Sequence, residues 1–244
     1  MPKSKFESIY KDLKVKIESG DYEFQSILPS ENTMVEIYDC SRNTIRRALA
    51  HLTEAGYLQP MHGKGVRVIY QPVDKANFVI GGIETFQETA IRNQLNSKTE
   101  VVTFAEIVAD ERIVRRSGFT IGTELYYIQR LRILDGIPSI LDINLFAKDI
   151  IPGLTPEIAS KSVYEYIENT LKMEIVTSKR KMTVERISAI DEKYLELNDC
   201  NCLAVVTSQT YNGKGVMFEY TQSRHVPDYF CFQDIATRRT IHTD

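Results

Sequence analysis

The chain has 244 residues, 43% of them hydrophobic, and a formal net charge of -3 at neutral pH. That content fills real cores and excludes bulk disorder, and the length suits two modest domains. No apolar run is long enough to span a bilayer, and Met1-Pro2-Lys3-Ser4-Lys5 leads into an amphipathic pattern, so a cytosolic protein with no membrane partner is expected. A slightly acidic total does not exclude nucleic acid, because the potential that a partner feels is local.

Phe6, Ile9, Tyr10, Leu13 and Ile17 recur at helical spacing and predict a first helix ending near Gly20. Its Lys11, Lys14 and Lys16 are balanced by Glu7, Asp12 and Glu18 and read as a solvated face. Leu28-Pro29-Ser30-Glu31 opens a second helix, with Ser30 as N-cap and Met34, Val35 and Tyr38 as its apolar stripe. Asp39-Cys40 breaks that helix and Ser41 caps a third. There Ile45, Ala48, Leu49 and Leu52 take one side, and Arg42, Asn43, Arg46 and Arg47 the other. Gly56 suits a left-handed helix end, and two short strands flank Gly63-Lys64-Gly65.

The order predicts a winged helix-turn-helix over residues 1–70. The third helix would enter the major groove, where Arg pairs with guanine and Asn with adenine. Lys64, at the tip of the wing, would meet phosphate or the minor groove. A lone amphipathic helix with a solvated basic face is the plain alternative. Against it, Arg42, Arg46, Arg47, Lys64 and Arg67 cluster with only Glu54 in opposition.

Past Ile69, Gln71, Pro72, Asp74 and Asn77 break any periodicity, and residues 71–78 read as a linker. The remainder, 79–244, opens at Gly81-Gly82. A helix is expected over Glu84–Arg92 and strands over Thr99–Val108 and Leu125–Leu134. Asp135-Gly136 signals a hairpin, with a return strand through Ile140, Asp142 and Phe146. Ser162 caps a helix through Tyr164, Ile167 and Leu171, with Glu165 as capping-box partner. A strand over Ile175–Ile187, a short helix over Glu192–Leu197 and a hairpin of Leu203–Tyr211 with Val216–Ser223 follow, and Phe230, Phe232 and Ile235 close the chain. The class is α+β: a winged head and a mixed, mainly antiparallel sheet carrying helices.

Arg130 and Arg132 stand two apart on one strand, so both project the same way. Two close guanidiniums repel unless an anion joins them, and Arg suits bidentate phosphate. Ser162, at a helix start, offers a hydroxyl and free backbone N–H groups. Asp142 and Glu219 could accept from sugar hydroxyls. Pairing of both arginines with acidic neighbours on an exposed face remains open on the pattern alone.

Cys40, Cys200, Cys202 and Cys231 form no Cys-x-x-Cys pair, and no histidine stands at metal-ligand spacing, so no metal or other cofactor is expected. The cysteines read as small buried hydrophobes, with Cys200-Asn201-Cys202 as a redox pair the alternative. A catalyst needs an acid–base pair or an activated nucleophile. His51 and His62 lie in the head, His242 in the tail, and His225 stands alone; Gly63-Lys64-Gly65 lacks the spacing and the Ser/Thr of a P-loop.

Residues 28–65 resemble the DNA-binding domain of the GntR family of bacterial transcription regulators. The likeness rests on Leu28-Pro29-Ser30-Glu31, on Tyr38-Asp39-Cys40-Ser41-Arg42-Asn43-Thr44-Ile45-Arg46-Arg47-Ala48-Leu49, and on Gly63-Lys64-Gly65. It implies DNA contacts at Asn32, Ser41, Arg42, Asn43, Thr44, Arg46, Arg47, His62, Gly63, Lys64 and Gly65; Asn32 stands where the family often has a basic residue. From about Phe78 onward the chain is similar to the effector domain (UTRA) of the HutC branch, whose fold is shared with chorismate lyase. The stretches Ser162-Val163-Tyr164-Glu165-Tyr166-Ile167-Glu168 and Phe218-Glu219-Tyr220-Thr221-Gln222-Ser223-Arg224-His225 carry that likeness.

The resemblance implies a homodimeric repressor of a sugar-utilisation operon, released by a sugar phosphate such as trehalose 6-phosphate. Another phosphorylated sugar, such as N-acetylglucosamine 6-phosphate, is the alternative, and a lyase-like enzyme a remote one. By position, phosphate would meet Arg130, Arg132, Ser162 and the helix start near Phe86, sugar would meet Asp142, Tyr164 and Glu219, and His225 would stand at the same site where relatives often have Tyr.

Overall fold

The computed structural model describes residues 5–71, 77–79 and 83–233. Gly81-Gly82, Ile235 and His242 lie outside the described residues. The chain divides into two compact units, one reaching Asp74 and the other running from Lys75 to Gln233.

In the first unit α1 (Lys5–Glu18), α2 (Glu31–Tyr38) and α3 (Arg42–Glu54) precede a hairpin of β1 (Leu58–Met61) and β2 (Gly65–Val68). Both predicted caps form: the Ser30 and Ser41 hydroxyls accept from the backbone N–H of Thr33 and Thr44 at 3.1 and 3.2 Å. Asp39, at φ 44°, ends α2 in the left-handed region and turns the chain into α3. The apolar stripes meet in one core, where Leu13, Met34, Ile45, Leu52 and Leu58 are fully buried. Tyr38 ties α2 to α1 by donating to Asp12 at 2.6 Å.

The second unit runs β3 (Asn77–Val79), α4 (Phe86–Arg92), β4 (Ser97–Val108), α5 (Glu111–Ser117), β5 (Glu124–Leu134) and β6 (Ile137–Ala147). Then come α6 (Pro156–Ala159), α7 (Val163–Glu165), β7 (Ile175–Arg186), α8 (Ala189–Tyr194), β8 (Cys202–Asn212), β9 (Met217–His225) and β10 (Cys231–Gln233). Among the described residues β4-β5-β6-β9-β8-β7, in that order, form an antiparallel sheet, and β10 pairs parallel with β3. The β5–β6 hairpin turns at Asp135-Gly136 with φ 47° and 86°, the left-handed pair that matches strand twist.

Strands β5 and β6 are covered on both faces. Tyr126, Ile128 and Phe146 pack under α7, while Leu131 and Leu141 pack on the other face with Leu195 and Leu203.

Several boundaries differ from the sequence expectation. β3 begins within the stretch read as linker, because its pairing partner lies more than 150 residues away, beyond the reach of local pattern. Thr85 caps α4, so the helix starts at Phe86 rather than Glu84. Ser188 with Asp191 caps α8 and starts it three residues before the expected Glu192. The long helix expected from Ser162 is one α-turn that widens at once into a π-turn, Tyr166–Thr170. Its predicted capping box is half made: the Glu165 backbone N–H donates to Ser162 at 3.2 Å without the reciprocal bond. The expectation did not include α5, α6 or the β3–β10 pair.

Candidate functional site

Each unit presents one surface where the sequence-predicted residues converge. In the first, Ser41, Arg42, Asn43, Arg46 and Arg47 are exposed on α3, Thr44 is half-buried, and Asn32 is exposed on α2. His62, Gly63, Lys64 and Gly65 are exposed at the hairpin turn. Gly65 sits at φ 93°, in the left-handed region that favours glycine, so this turn needs glycine for its conformation.

The basic set is not opposed by Glu54 alone. Arg46 Nε donates to both carboxylate oxygens of Glu31, at 3.1 and 2.9 Å. Arg47 lies over the Phe6 ring, 3.7 Å from its centroid. Arg67 is half-buried and donates to Gln25 at 3.2 Å, so it serves the wing's packing. Arg42 makes no ion pair with a described residue. A helix whose outer face is cationic and whose N-terminus is capped fits the major groove, with a lysine-tipped wing beside it.

In the second unit a cavity of about 380 Å³ opens over one sheet face, lined by Arg130, Arg132, Asp142, Ser162, Tyr164 and Glu219 among others. Phe86, His225 and residues of β7 and β8 line it as well. Every predicted effector residue therefore reaches one space. The strand register explains this: Arg130 pairs with Asp142 across β5–β6, and Asp142 with Ser223 across β6–β9, so their side chains share a face.

Arg130 and Arg132 are each 6% exposed, which rules out the reading of an ion pair on a solvated face. Arg132 Nε donates to Asp142 at 2.8 Å and its Nη1 to Thr99 at 2.7 Å, with the guanidinium 4.8 Å from the Phe86 ring centroid. Arg130 Nε donates to Asn144 at 2.9 Å, and its Nη2 stands 4.0 Å from the same Asp142 oxygen. Burial, then the neighbouring Arg132, draws the Arg130 pKa down to about 10, still charged at neutral pH. Burial alone would raise Asp142, but Arg132, Arg130 and the Ser223 hydroxyl, donating at 2.6 Å, hold it below the ordinary carboxylate range.

Two buried cations thus share the Asp142 carboxylate, and the buried Glu219 carboxylate also draws on Arg130. Nearby, Tyr164 donates to Glu219 at 2.6 Å and Thr221 donates to the other Glu219 oxygen at 2.7 Å. Burial, followed by the Glu219 charge, pushes the Tyr164 phenol well above its usual value, so it stays a hydrogen-bond donor. Desolvation lowers His225 to about 4, against a partial pull upward from Asp142, and its ring lies 4.7 Å from that of Phe230. The arrangement suits an anionic group at the arginines and hydroxyls at Asp142 and Glu219.

Ser162 lines the cavity, yet its helix is too short to act as a dipole. The sequence expectation omitted Thr99, Asn144, Thr221 and Ser223, which complete the hydrogen-bond chain. For Asn144 the signal was its place two residues after Asp142 on an otherwise apolar strand; Thr221 and Ser223 share alternate positions with Glu219 and His225, but Gln222 and Arg224 between them blur the pattern.

Among the described residues no cluster of His, Cys, Asp and Glu could hold a metal ion, and no helix is long and apolar enough to cross a membrane. Residues 5–68 match the family of bacterial regulatory proteins called gntR, and residues 92–231 match the UTRA domain. The HTH-type transcriptional regulator TreR of Bacillus subtilis is 34% identical over 238 residues, spanning 98% of this chain and 99% of that protein. The solved effector-binding domain of the Bacillus subtilis trehalose repressor is 32% identical and covers 58% of this chain and 99% of its own, with a TM-score of 0.53. The structure of the possible transcriptional regulator YydK from Bacillus subtilis, 20% identical, covers 96% of this chain and 100% of its own at a TM-score of 0.79, a likeness of fold.

The families matched, and relatives such as TreR, are transcriptional regulators and not enzymes, and the chain belongs to the GntR family of DNA-binding transcriptional regulators, with a UTRA effector domain following its winged helix-turn-helix in sequence.

Proposed function

We propose that this protein is a homodimeric repressor of a trehalose-utilisation operon and leaves its operator when trehalose 6-phosphate fills the cavity. The observation that carries the reading is the pair of buried arginines sharing the single carboxylate of Asp142. A phosphate would be held by both arginines through their unused guanidinium N–H groups. The cavity, about 380 Å³, falls in the range of roughly 300–1,000 Å³ typical of small-molecule sites. Asp142, Tyr164 and Glu219 offer the acceptors and the donor that a sugar needs. The likeness to TreR over nearly the full length supports trehalose as that sugar.

Two winged heads related by a two-fold axis read a palindromic operator, and the effector domains would carry the dimer contact. Filling the cavity would bias the dimer, through residues 71–78, away from the operator's half-site spacing. A coupling of about 1–3 kcal/mol gives roughly a five- to 150-fold loss of operator affinity.

The test is release of a fluorescent operator duplex, followed by anisotropy. Trehalose 6-phosphate should release it where trehalose and inorganic phosphate do not. Release by N-acetylglucosamine 6-phosphate instead would keep the phosphate site and reassign the sugar. Retention of operator against every sugar phosphate would overturn the proposal.

A further inference from the structure

We propose that Glu31 is a positioning residue for sequence readout: it clamps Arg46 by one edge, so that only the outer fork of the guanidinium is offered to the base pairs. The inference rests on the reading of Arg46 as a DNA contact and names what sets its selectivity.

Glu31 is the first residue of α2, directly after the Ser30 cap, so its backbone is fixed to the core of the head. Arg46 lies one turn into α3. Its Nε donates to Glu31 Oε1 at 3.1 Å and Oε2 at 2.9 Å, and its Nη groups bond no described residue. The Arg46 side chain remains 62% exposed and that of Glu31 35%. An ion pair this exposed contributes little to stability, so stability alone does not account for a contact that joins two helices.

Guanidinium chemistry supplies one. Of the five N–H donors, the clamp occupies the Nε donor and leaves the four Nη donors, whose parallel pair matches guanine O6 and N7. A carboxylate on the inner edge also fixes the plane of a side chain that otherwise samples many rotamers. The same carboxylate repels phosphate, so an arginine held by it is a poor backbone contact and a directed base contact. Glu31 should therefore weaken binding to any duplex while widening the gap between operator and random DNA. A residue acting only through charge or stability would move both affinities together.

The test uses the full-length protein, the duplex it selects from a random pool, and a random duplex of equal length. Glu31→Gln should cut the selected-to-random affinity ratio by roughly three- to tenfold, mainly by tightening the random complex. Arg46→Ala should lose roughly five- to 150-fold of that ratio, and the double variant should match Arg46→Ala alone. Glu31→Asp, which keeps a shorter carboxylate, should fall between wild type and Glu31→Gln.

An unchanged ratio in Glu31→Gln, with the ratio lost in Arg46→Ala, overturns the positioning role and leaves Arg46 as a reader. Additive losses in the double variant overturn it too, by showing independent action. An unchanged ratio in Arg46→Ala removes the reading beneath it. Thermal midpoints of all variants show whether each is folded at the assay temperature.

Discussion

Replacing Arg132 separates the effector site from the DNA site most cleanly. Arg132→Ala removes the bond to Asp142 at 2.8 Å, the bond to Thr99 at 2.7 Å and the stacking on Phe86. Breaking a buried ion pair costs about 3–5 kcal/mol when the partner is orphaned. Here Asp142 keeps Arg130 at 4.0 Å, and Arg130 is relieved of a like charge, so the stability loss should lie near the low end, about 3 kcal/mol. The effector loses more. Two hydrogen bonds to a charged phosphate, each contributing about 1.5–3 kcal/mol, put the loss at about 3–6 kcal/mol, or roughly 140- to 20,000-fold in affinity.

Arg132→Lys keeps a charge but not the fork, and should lose roughly tenfold. The assay titrates trehalose 6-phosphate into the labelled operator complex of each variant, with thermal scans confirming the fold. Operator affinity without effector should match wild type. Release of the Arg132→Ala complex at the wild-type effector concentration would refute the assignment of Arg132 to the phosphate site.

Lys64→Ala should weaken operator and random duplex alike and flatten the slope of log affinity against log salt by about one, which a salt titration reads directly. Tyr164→Phe removes the donor to Glu219 at 2.6 Å and should cost the sugar phosphate about 1–3 kcal/mol by calorimetry, while any weak binding of inorganic phosphate stays the same. His225, with its folded pKa near 4 against an ordinary 6.5, favours the neutral ring in the native state. The unfolded chain then takes up a proton first as pH falls, so stability is full above about 6.5 and declines down to about 4, by about 3 kcal/mol in all. His225→Phe should remove that slope, whereas Asp142, held below its ordinary value of 3.8, adds its own loss only at lower pH. An unaltered slope between those limits in His225→Phe would assign the effect elsewhere.

Local chemistry made the head legible. Ser30 and Ser41 cap where a hydroxyl precedes a helical stripe, and Gly63-Lys64-Gly65 turns where positive φ is needed. In the effector domain Asp135-Gly136 marked its hairpin for the same reason. The two-residue spacing of Arg130 and Arg132 placed both on one face, and the strand ladder delivered Asp142 to them. The sequence did not disclose contacts across elements. The Arg46–Glu31 clamp joins residues 15 apart on separate helices, and β10 pairs with β3 across more than 150 residues. Burial was equally silent: spacing alone left Arg130 and Arg132 free to face solvent, and only the covering by α4 and α7 makes their charge costly enough to need an anion. The missed α5 had its signals in Asp110 and Gly118, but its seven residues are too few for periodicity to show.

Linkage between the two sites is most directly read by calorimetry of trehalose 6-phosphate binding, to the free protein and to the protein saturated with operator. The account predicts weaker binding in the presence of operator, by the same factor by which the sugar phosphate weakens operator binding, roughly five- to 150-fold. Equal affinity in the two titrations would contradict it.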